Sequence, residues 1–157
     1  MNATARQTEL LLAERHRHVP RGVATAHPLV IDRAEGAEVW DVEGKRYLDF
    51  VGGIGVLNLG HNHPRVVAAV TRQLQKVSHV AFQVAAYEPY IALAARLNAL
   101  VGGDEAYKSI FLTTGAEAVE SAVKIARSHT NRPGVIAFRG GFHGRTLLGV
   151  TLTGFSQ

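Results

Sequence analysis

The stretch Ser109–Arg127, SIFLTTGAEAVESAVKIAR, decides how the rest of the chain is read. Ile110, Phe111 and Leu112 run into Thr113 and Thr114, Gly115 and Ala116 follow, and a helical pattern begins at once. The spacing predicts a strand over 109–113, a turn over 114–116 and a helix over 117–129. A buried strand that breaks into a helix over small residues leaves unused backbone N–H groups at the turn, beside the positive end of the helix dipole. Such a turn attracts an anion, and phosphate is the usual guest. Glu117 in the first turn suits the dipole, and Glu120 and Lys124 stand in the i,i+4 order of an exposed ion pair.

Downstream, Asn131 to Gly134 is a turn and Val135-Ile136-Ala137-Phe138 reads as a buried strand. Gly140-Gly141-Phe142-His143-Gly144-Arg145-Thr146 then forms a Gly-rich loop. Strand, helix and strand at this spacing make a βαβ unit with parallel strands and a right-handed crossover. In such a sheet ligands bind beyond the C-terminal strand ends, so the 114–116 turn and the 141–145 loop open onto the same side. A phosphate on the first, a flat ring on Phe142 and a carboxylate in the planar fork of Arg145 describe a phosphorylated aromatic cofactor with its substrate. Taken alone, strand–TTGA–helix is also what a plain structural turn looks like, and Phe142 alone reads as core. No G-x-x-x-x-G-K-[ST] is present and no G-x-G-x-x-G follows a strand, which argues against a P-loop NTPase and a dinucleotide fold.

Upstream, Gln7 to Arg17 is weakly amphipathic and helical. Val30-Ile31, residues 38–42 and residues 46–51 alternate as strands of a small antiparallel meander, with Gly44 available for a positive φ in the second turn. Gly52-Gly53-Ile54-Gly55 is a loop where backbone can approach a ligand closely. His61-Asn62-His63-Pro64 lacks an acidic or Cys partner at metal-site spacing, so it reads as a capped turn with Pro64 at the first helical position. Residues 64–77 form an amphipathic helix, and 78–86 a loop in which Gln83 is, by itself, a surface residue. A second helix opens at Glu88-Pro89 and ends at Gly102-Gly103.

At 157 residues and 46% hydrophobic the chain suffices for a sizeable core, and 16 glycines suit an α/β enzyme rich in turns. The net charge of +4 is scattered, with no basic run interleaved with aromatics, which disfavours nucleic acid. The absence of cysteine excludes disulfides and thiolate metal sites and fits a reducing compartment. No apolar run approaches the ~20 residues of a membrane span, and Leu10-Leu11-Leu12-Ala13 between Glu9 and Glu14 is too short and too acidic for a signal peptide. A cytoplasmic protein is the expectation. Thr151 to Gln157 closes the chain just after an apolar β-like run with no covering helix, as expected of a fragment.

Several of these residues carry a family resemblance. TTGAEAVESAVKIAR (113–127) followed by GGFHGRT (140–146) resembles the class III (omega) aminotransferases, pyridoxal 5′-phosphate enzymes of fold type I. RGV with HP (21–23 and 27–28), VWDVEGKRYLDFVGGIGVLNLGHNHP (39–64) and SHVAFQVAAYEPY (78–90) are similar, in order, to the 4-aminobutyrate aminotransferase branch. The resemblance runs from about Val19 to the last residue. It implies an α/β fold made of a small antiparallel β segment and the start of a large α/β domain. Residues 1–60 would belong to the small domain, 61–104 would be linking helices, and 105–157 would begin the cofactor-binding domain.

The resemblance also implies roles. Gly115 and Ala116 match the positions whose backbone holds the cofactor phosphate, and Phe142 the aromatic stacked on the pyridine ring, with His143 and Gly144 beside it. Gln83 matches a position near the cofactor at a dimer interface. Ile54 matches a substrate-lining position, and Arg145 the arginine that binds the substrate's distal carboxylate. The implied reaction moves an amino group from 4-aminobutyrate to 2-oxoglutarate, giving succinate semialdehyde and glutamate, in a homodimer. Other omega-aminotransferases, acting on 5-aminovalerate, ornithine or lysine, are the alternatives, as is a non-catalytic truncated product. Lys45, Lys76, Lys108 and Lys124 are the chain's only lysines, and none follows the family's Schiff-base lysine motif. No catalytic residue and no metal ligand is therefore expected here, and the chain alone is expected to be inactive.

Overall fold

The computed structural model describes residues 5–103 and 106–154. The chain divides into two compact units, with the boundary between His79 and Val80.

The first unit opens with α1 (Ala5–His18), whose last turn carries Arg15, His16, Arg17 and His18 at the negative end of the helix dipole. The amide of Thr8 donates to Glu43 Oε1 at 3.1 Å, which ties α1 to the turn of the following sheet. That sheet is the expected antiparallel meander: β1 (Ile31–Glu35), β2 (Glu38–Asp41) and β3 (Arg46–Leu48), in spatial order β1-β2-β3. Ala34 faces Val39, Trp40 faces Arg46, and the register slips between Ile31 and Arg33. The slip brings the Arg33 guanidinium 3.6 Å from the centre of the Trp40 ring, a cation–π contact.

Asp41 organises the β2–β3 turn. Its Oδ1 accepts from the amides of Glu43 at 3.0 Å and Lys45 at 2.8 Å, its Oδ2 from the Tyr47 hydroxyl at 2.7 Å, and Gly44 supplies φ 78. The Tyr47 bond, then the two amides, hold the Asp41 carboxyl below its usual 3.8 against a partial desolvation, and the same bond pushes Tyr47 above 10.0. The depressed carboxyl stabilises the turn above the usual carboxylate range and stops doing so as pH falls through its lowered value. The raised phenol stabilises it below pH 10.0 and stops as pH rises through its higher value. Amide protection at Glu43 and Lys45 is therefore expected to stay flat across neutral pH and to fall only below pH 3.8 and above pH 10.0. Loss of protection already near pH 5 would refute this.

After β3 comes a single tight turn, α2 (Gly52–Gly55), and then α3 (Pro64–Leu74), which has Pro64 at its first position as expected and ends three residues short of Val77.

The second unit holds α4 (Glu88–Val101), α5 (Gly115–Thr130) and α6 (Leu147–Leu152), with α5 packed on α6. Residues 109–113 and 135–138, expected as parallel strands, have no ladder partner among the described residues. A strand exists only through its neighbours. Here side chains of the preceding helix hold the first segment instead. Phe111 N donates to Tyr90 Oη at 3.0 Å, Ser109 Oγ donates to Asn98 Oδ1 at 2.7 Å, and Phe82 stacks on Tyr90 at 4.1 Å between ring centres. The expected burial of 135–138 is also overturned: Ile136 is 92% and Phe138 80% exposed, and no described apolar side chain is buried.

The β-like reading near the C-terminus is corrected too. Residues 147–152 are helical because Thr146 Oγ1 accepts the Gly149 amide at 3.1 Å and starts a helix where the apolar run reads as β-like. Residues 155–157 lie outside the described residues. Glu120 and Lys124 make no ion pair within 4.0 Å. No helix among the described residues is long and apolar enough to cross a membrane.

Candidate cofactor and substrate site

The start of α5 is built by a reciprocal cap. Thr114 Oγ1 accepts from the Glu117 amide at 3.1 Å, and Glu117 Oε2 accepts from the Thr114 amide at 2.8 Å. The Ala118 amide takes the Thr114 carbonyl at 3.1 Å. That leaves Gly115 and Ala116: among the described residues no acceptor meets either amide. The cap thus satisfies the N–H groups on both sides and leaves two adjacent donors at the positive end of a 16-residue helix.

The Gly-rich loop folds against this turn. Gly140 and Gly144 take φ values of 78° and 109°. At Gly144 a side chain has no room, since a Cβ there would lie 2.7 Å from the Ala116 Cβ. Glycine at 144 is thus what lets the loop backbone touch the first turn of α5. Between them lies a cavity of about 440 Å³ lined by Gly115, Ala116, Val119, Phe142, His143, Gly144 and Arg145. Six of the eight residues expected at the site are therefore brought together, by loop-to-helix contact rather than by the sheet that first suggested it. Phe142 is 62% exposed, an available ring face rather than a core side chain. Arg145 is exposed and makes no ion pair within 4.0 Å among the described residues.

A larger groove of about 740 Å³ runs along α5 past Glu120, Lys124 and Arg127 to Pro133 and Leu148. It contains none of the expected site residues and lacks both a free amide pair and an aromatic face, so the smaller cavity is the better candidate.

Gln83 is exposed on the loop before α4 and does not line the cavity. Ile54 belongs to the first unit, in α2, where Gly53 (φ 63, ψ 32) and Ile54 (φ 64, ψ 51) are both left-handed. A β-branched residue seldom adopts that conformation. The turn is held from below by Asp49, whose Oδ1 accepts from the amides of Val51 at 3.0 Å and Gly52 at 2.9 Å. Its Oδ2 lies 2.7 Å from His61 Nε2. The His61 bond, with those amides, holds the Asp49 carboxyl below its usual value. Sequence reasoning missed this pair: twelve residues separate its members, and His61 reads only as part of a capped turn. Among the described residues no group of acidic, His or Cys side chains could hold a metal.

Comparisons with known proteins identify the family. The family model "Aminotransferase class-III" matches residues 19–157. The chain is 58% identical over 144 residues to the 4-aminobutyrate aminotransferase GabT of Escherichia coli, covering 92% of this chain and 34% of that protein. It is 57% identical over 150 residues to the 5-aminovalerate aminotransferase DavT of Pseudomonas aeruginosa, covering 96% and 35%. Among solved structures, a taurine:2-oxoglutarate aminotransferase from Bifidobacterium kashiwanohense, in complex with PLP and glutamate, superposes with a TM-score of 0.85 at 30% identity, covering 94% of this chain and 33% of that one. The chain spans about a third of the length of the curated relatives it matches. A helix start with two unused amides, an open aromatic face and a guanidinium with no ion-pair partner among the described residues share one cavity, and the family model matches nearly the whole chain. The chain belongs to the class III aminotransferases and represents the N-terminal part of their pyridoxal 5′-phosphate-dependent fold.

Proposed function

We propose that the full-length parent of this chain is a 4-aminobutyrate aminotransferase, transferring the amino group of 4-aminobutyrate to 2-oxoglutarate to give succinate semialdehyde and glutamate. The observation that carries this reading is the cavity in which the Gly115 and Ala116 amides share walls with Arg145, none of them partnered among the described residues. The residues present fit pyridoxal 5′-phosphate. The two amides would hold its phosphate, Phe142 would cover its ring, and His143 and Gly144 would close the near edge. When bound, the cofactor supplies the electron sink of the reaction.

What this chain contributes is binding and orientation. Arg145 grips the distal carboxylate of the donor in a bidentate way, fixing which end of the molecule faces the cofactor. Ile54 and Gln83 are assigned their roles, lining the substrate and approaching the cofactor at a homodimer interface, from the family resemblance alone. Residues 1–60 are assigned on the same basis to the small domain, and 105–157 to the start of the cofactor-binding domain. A cytoplasmic location belongs to the same proposal, supported by the absence of cysteine.

A specific observation favours a second donor, since the 5-aminovalerate relative is as similar as the 4-aminobutyrate one. Arg145 suits both, because each donor ends in a carboxylate. Ornithine and lysine, reacting through their terminal amine, carry a second ammonium beside the distal carboxylate, which Arg145 would disfavour. One methylene separates the two favoured donors, and a pocket distinguishes that by only about 1–3 kcal/mol. The test is glutamate formation by the full-length parent from each of the four donors. The highest kcat/KM is expected with 4-aminobutyrate, and a preference for ornithine or lysine would sink the carboxylate reading.

The 157-residue chain by itself is expected to behave differently. With pyridoxal 5′-phosphate it should develop no absorption band of a lysine-bound cofactor and retain no label after borohydride reduction. A clear band with turnover would show that the chemistry does not need a lysine outside this chain.

A further inference from the structure

We infer that Thr153 is a positioning residue that holds the His143–Arg145 backbone in place; this rests on the reading of that loop as a cofactor and substrate site. The loop is fastened at three points. At its entry the Gly154 amide donates to the Gly141 carbonyl at 3.0 Å, and the Gly140 amide to the Gly154 carbonyl at 3.4 Å. At its exit Thr146 caps α6 through the Gly149 amide. Between these ends, the anchor for the backbone of residues 142–145 among the described residues is one side chain. Thr153 Oγ1 accepts from the His143 amide at 3.1 Å.

The hydroxyl is itself aimed. Its single proton has a short acceptor, the Gly149 carbonyl at 2.7 Å, with the Gly144 carbonyl more distant at 3.4 Å. Donating to Gly149 turns a lone pair toward the His143 amide, so α6 both carries the anchor and orients it. The packing of Gly144 on Ala116, and of the His143–Gly144 backbone on Gly149 of α6, is van der Waals and sets only how closely the loop can approach. It resists compression but does not hold. The hydrogen bond from His143 to Thr153 is the attractive tie at the loop centre, one residue from Phe142 and two from Arg145. Ten residues separate donor and acceptor, so no local motif announces the role.

The variants are Thr153→Val, which keeps the shape and removes the hydroxyl, and Thr153→Ser, which keeps the hydroxyl. In the cofactor-free full-length parent, Thr153→Val should raise amide exchange over residues 141–146 and leave α4 unchanged, while Thr153→Ser matches the unaltered protein. In the loaded enzyme, Thr153→Val should raise KM for 4-aminobutyrate about 10-fold with kcat within about 2-fold. KM for an amine donor lacking a carboxylate should stay within about 2-fold, because Arg145 is what the loop misplaces. Unchanged exchange in Thr153→Val would overturn the inference, and so would equal losses with both donors. If the unaltered parent transaminates no donor, the functional reading fails, and the exchange measurement alone then decides whether Thr153 holds the loop.

Discussion

Replacing Arg145 by leucine in the full-length parent is expected to raise KM for 4-aminobutyrate by roughly 10- to 100-fold, while a simple amine donor changes by less than about 3-fold. The guanidinium lines the cavity and has no carboxylate partner of its own within 4.0 Å among the described residues, so its donors are available to a ligand. A hydrogen-bonded pair with a charged group contributes about 1.5–3 kcal/mol, which sets the range. The loss falls on KM if the carboxylate is gripped equally before and during reaction. Arg145→Lys should recover part of the effect, since an ammonium keeps the charge but loses the planar fork. Equal KM changes for both donors would remove Arg145 from the substrate side of the cavity.

Gly144→Ala is the second large effect. At φ 109° the backbone is strained for any L side chain, and the added Cβ would lie 2.7 Å from the Ala116 Cβ and 3.1 Å from its Cα. Strain and overlap together cost roughly 2–5 kcal/mol. The loop escapes by moving off α5, which opens the cavity and weakens cofactor binding by an expected 10-fold or more. Gly134→Ala is the matched control, because its Cβ would meet nothing within 4 Å and its φ is not positive. Combining Gly144→Ala with Ala116→Gly should restore the steric part of the loss and leave the backbone part, a coupling that a double-mutant cycle reads directly. Titration of the cofactor into the cofactor-free parent measures these three variants and the Ala116→Gly single that completes the cycle. Equal affinity for Gly144→Ala and Gly134→Ala would mean that the contact with Ala116 does not shape the site.

Much of this site was legible before any coordinates. The TTGA turn, the glycines at 140, 141 and 144, and the phenylalanine and arginine between and after them are local features. Their chemistry follows from residue type and from distance along a helix or loop. The meander at 31–48 was legible for the same reason, since alternation with a glycine turn is a pattern of near neighbours. What reading by pattern misplaced were the segments whose state depends on a distant partner. Residues 109–113 and 135–138 have strand composition, yet a strand needs a neighbouring ladder, and here Tyr90 and Asn98 hold the first of them instead. The apolar run before Thr151 looks β-like, but one hydroxyl at Thr146 closes a helical turn.

The sequence by itself therefore determined the family and, through that resemblance, the cofactor; it also picked out the two loops proposed to meet the ligand, because glycine and capping residues act through bonds three or four positions away. Only the tertiary structure decided how those loops are held. Thr153 reaches back ten residues to His143, Asp49 forward twelve to His61, and Gly144 crosses to Ala116 because neither carries a longer side chain. Contacts of that kind depend on where the folded chain returns in space, and no spacing along the sequence encodes it.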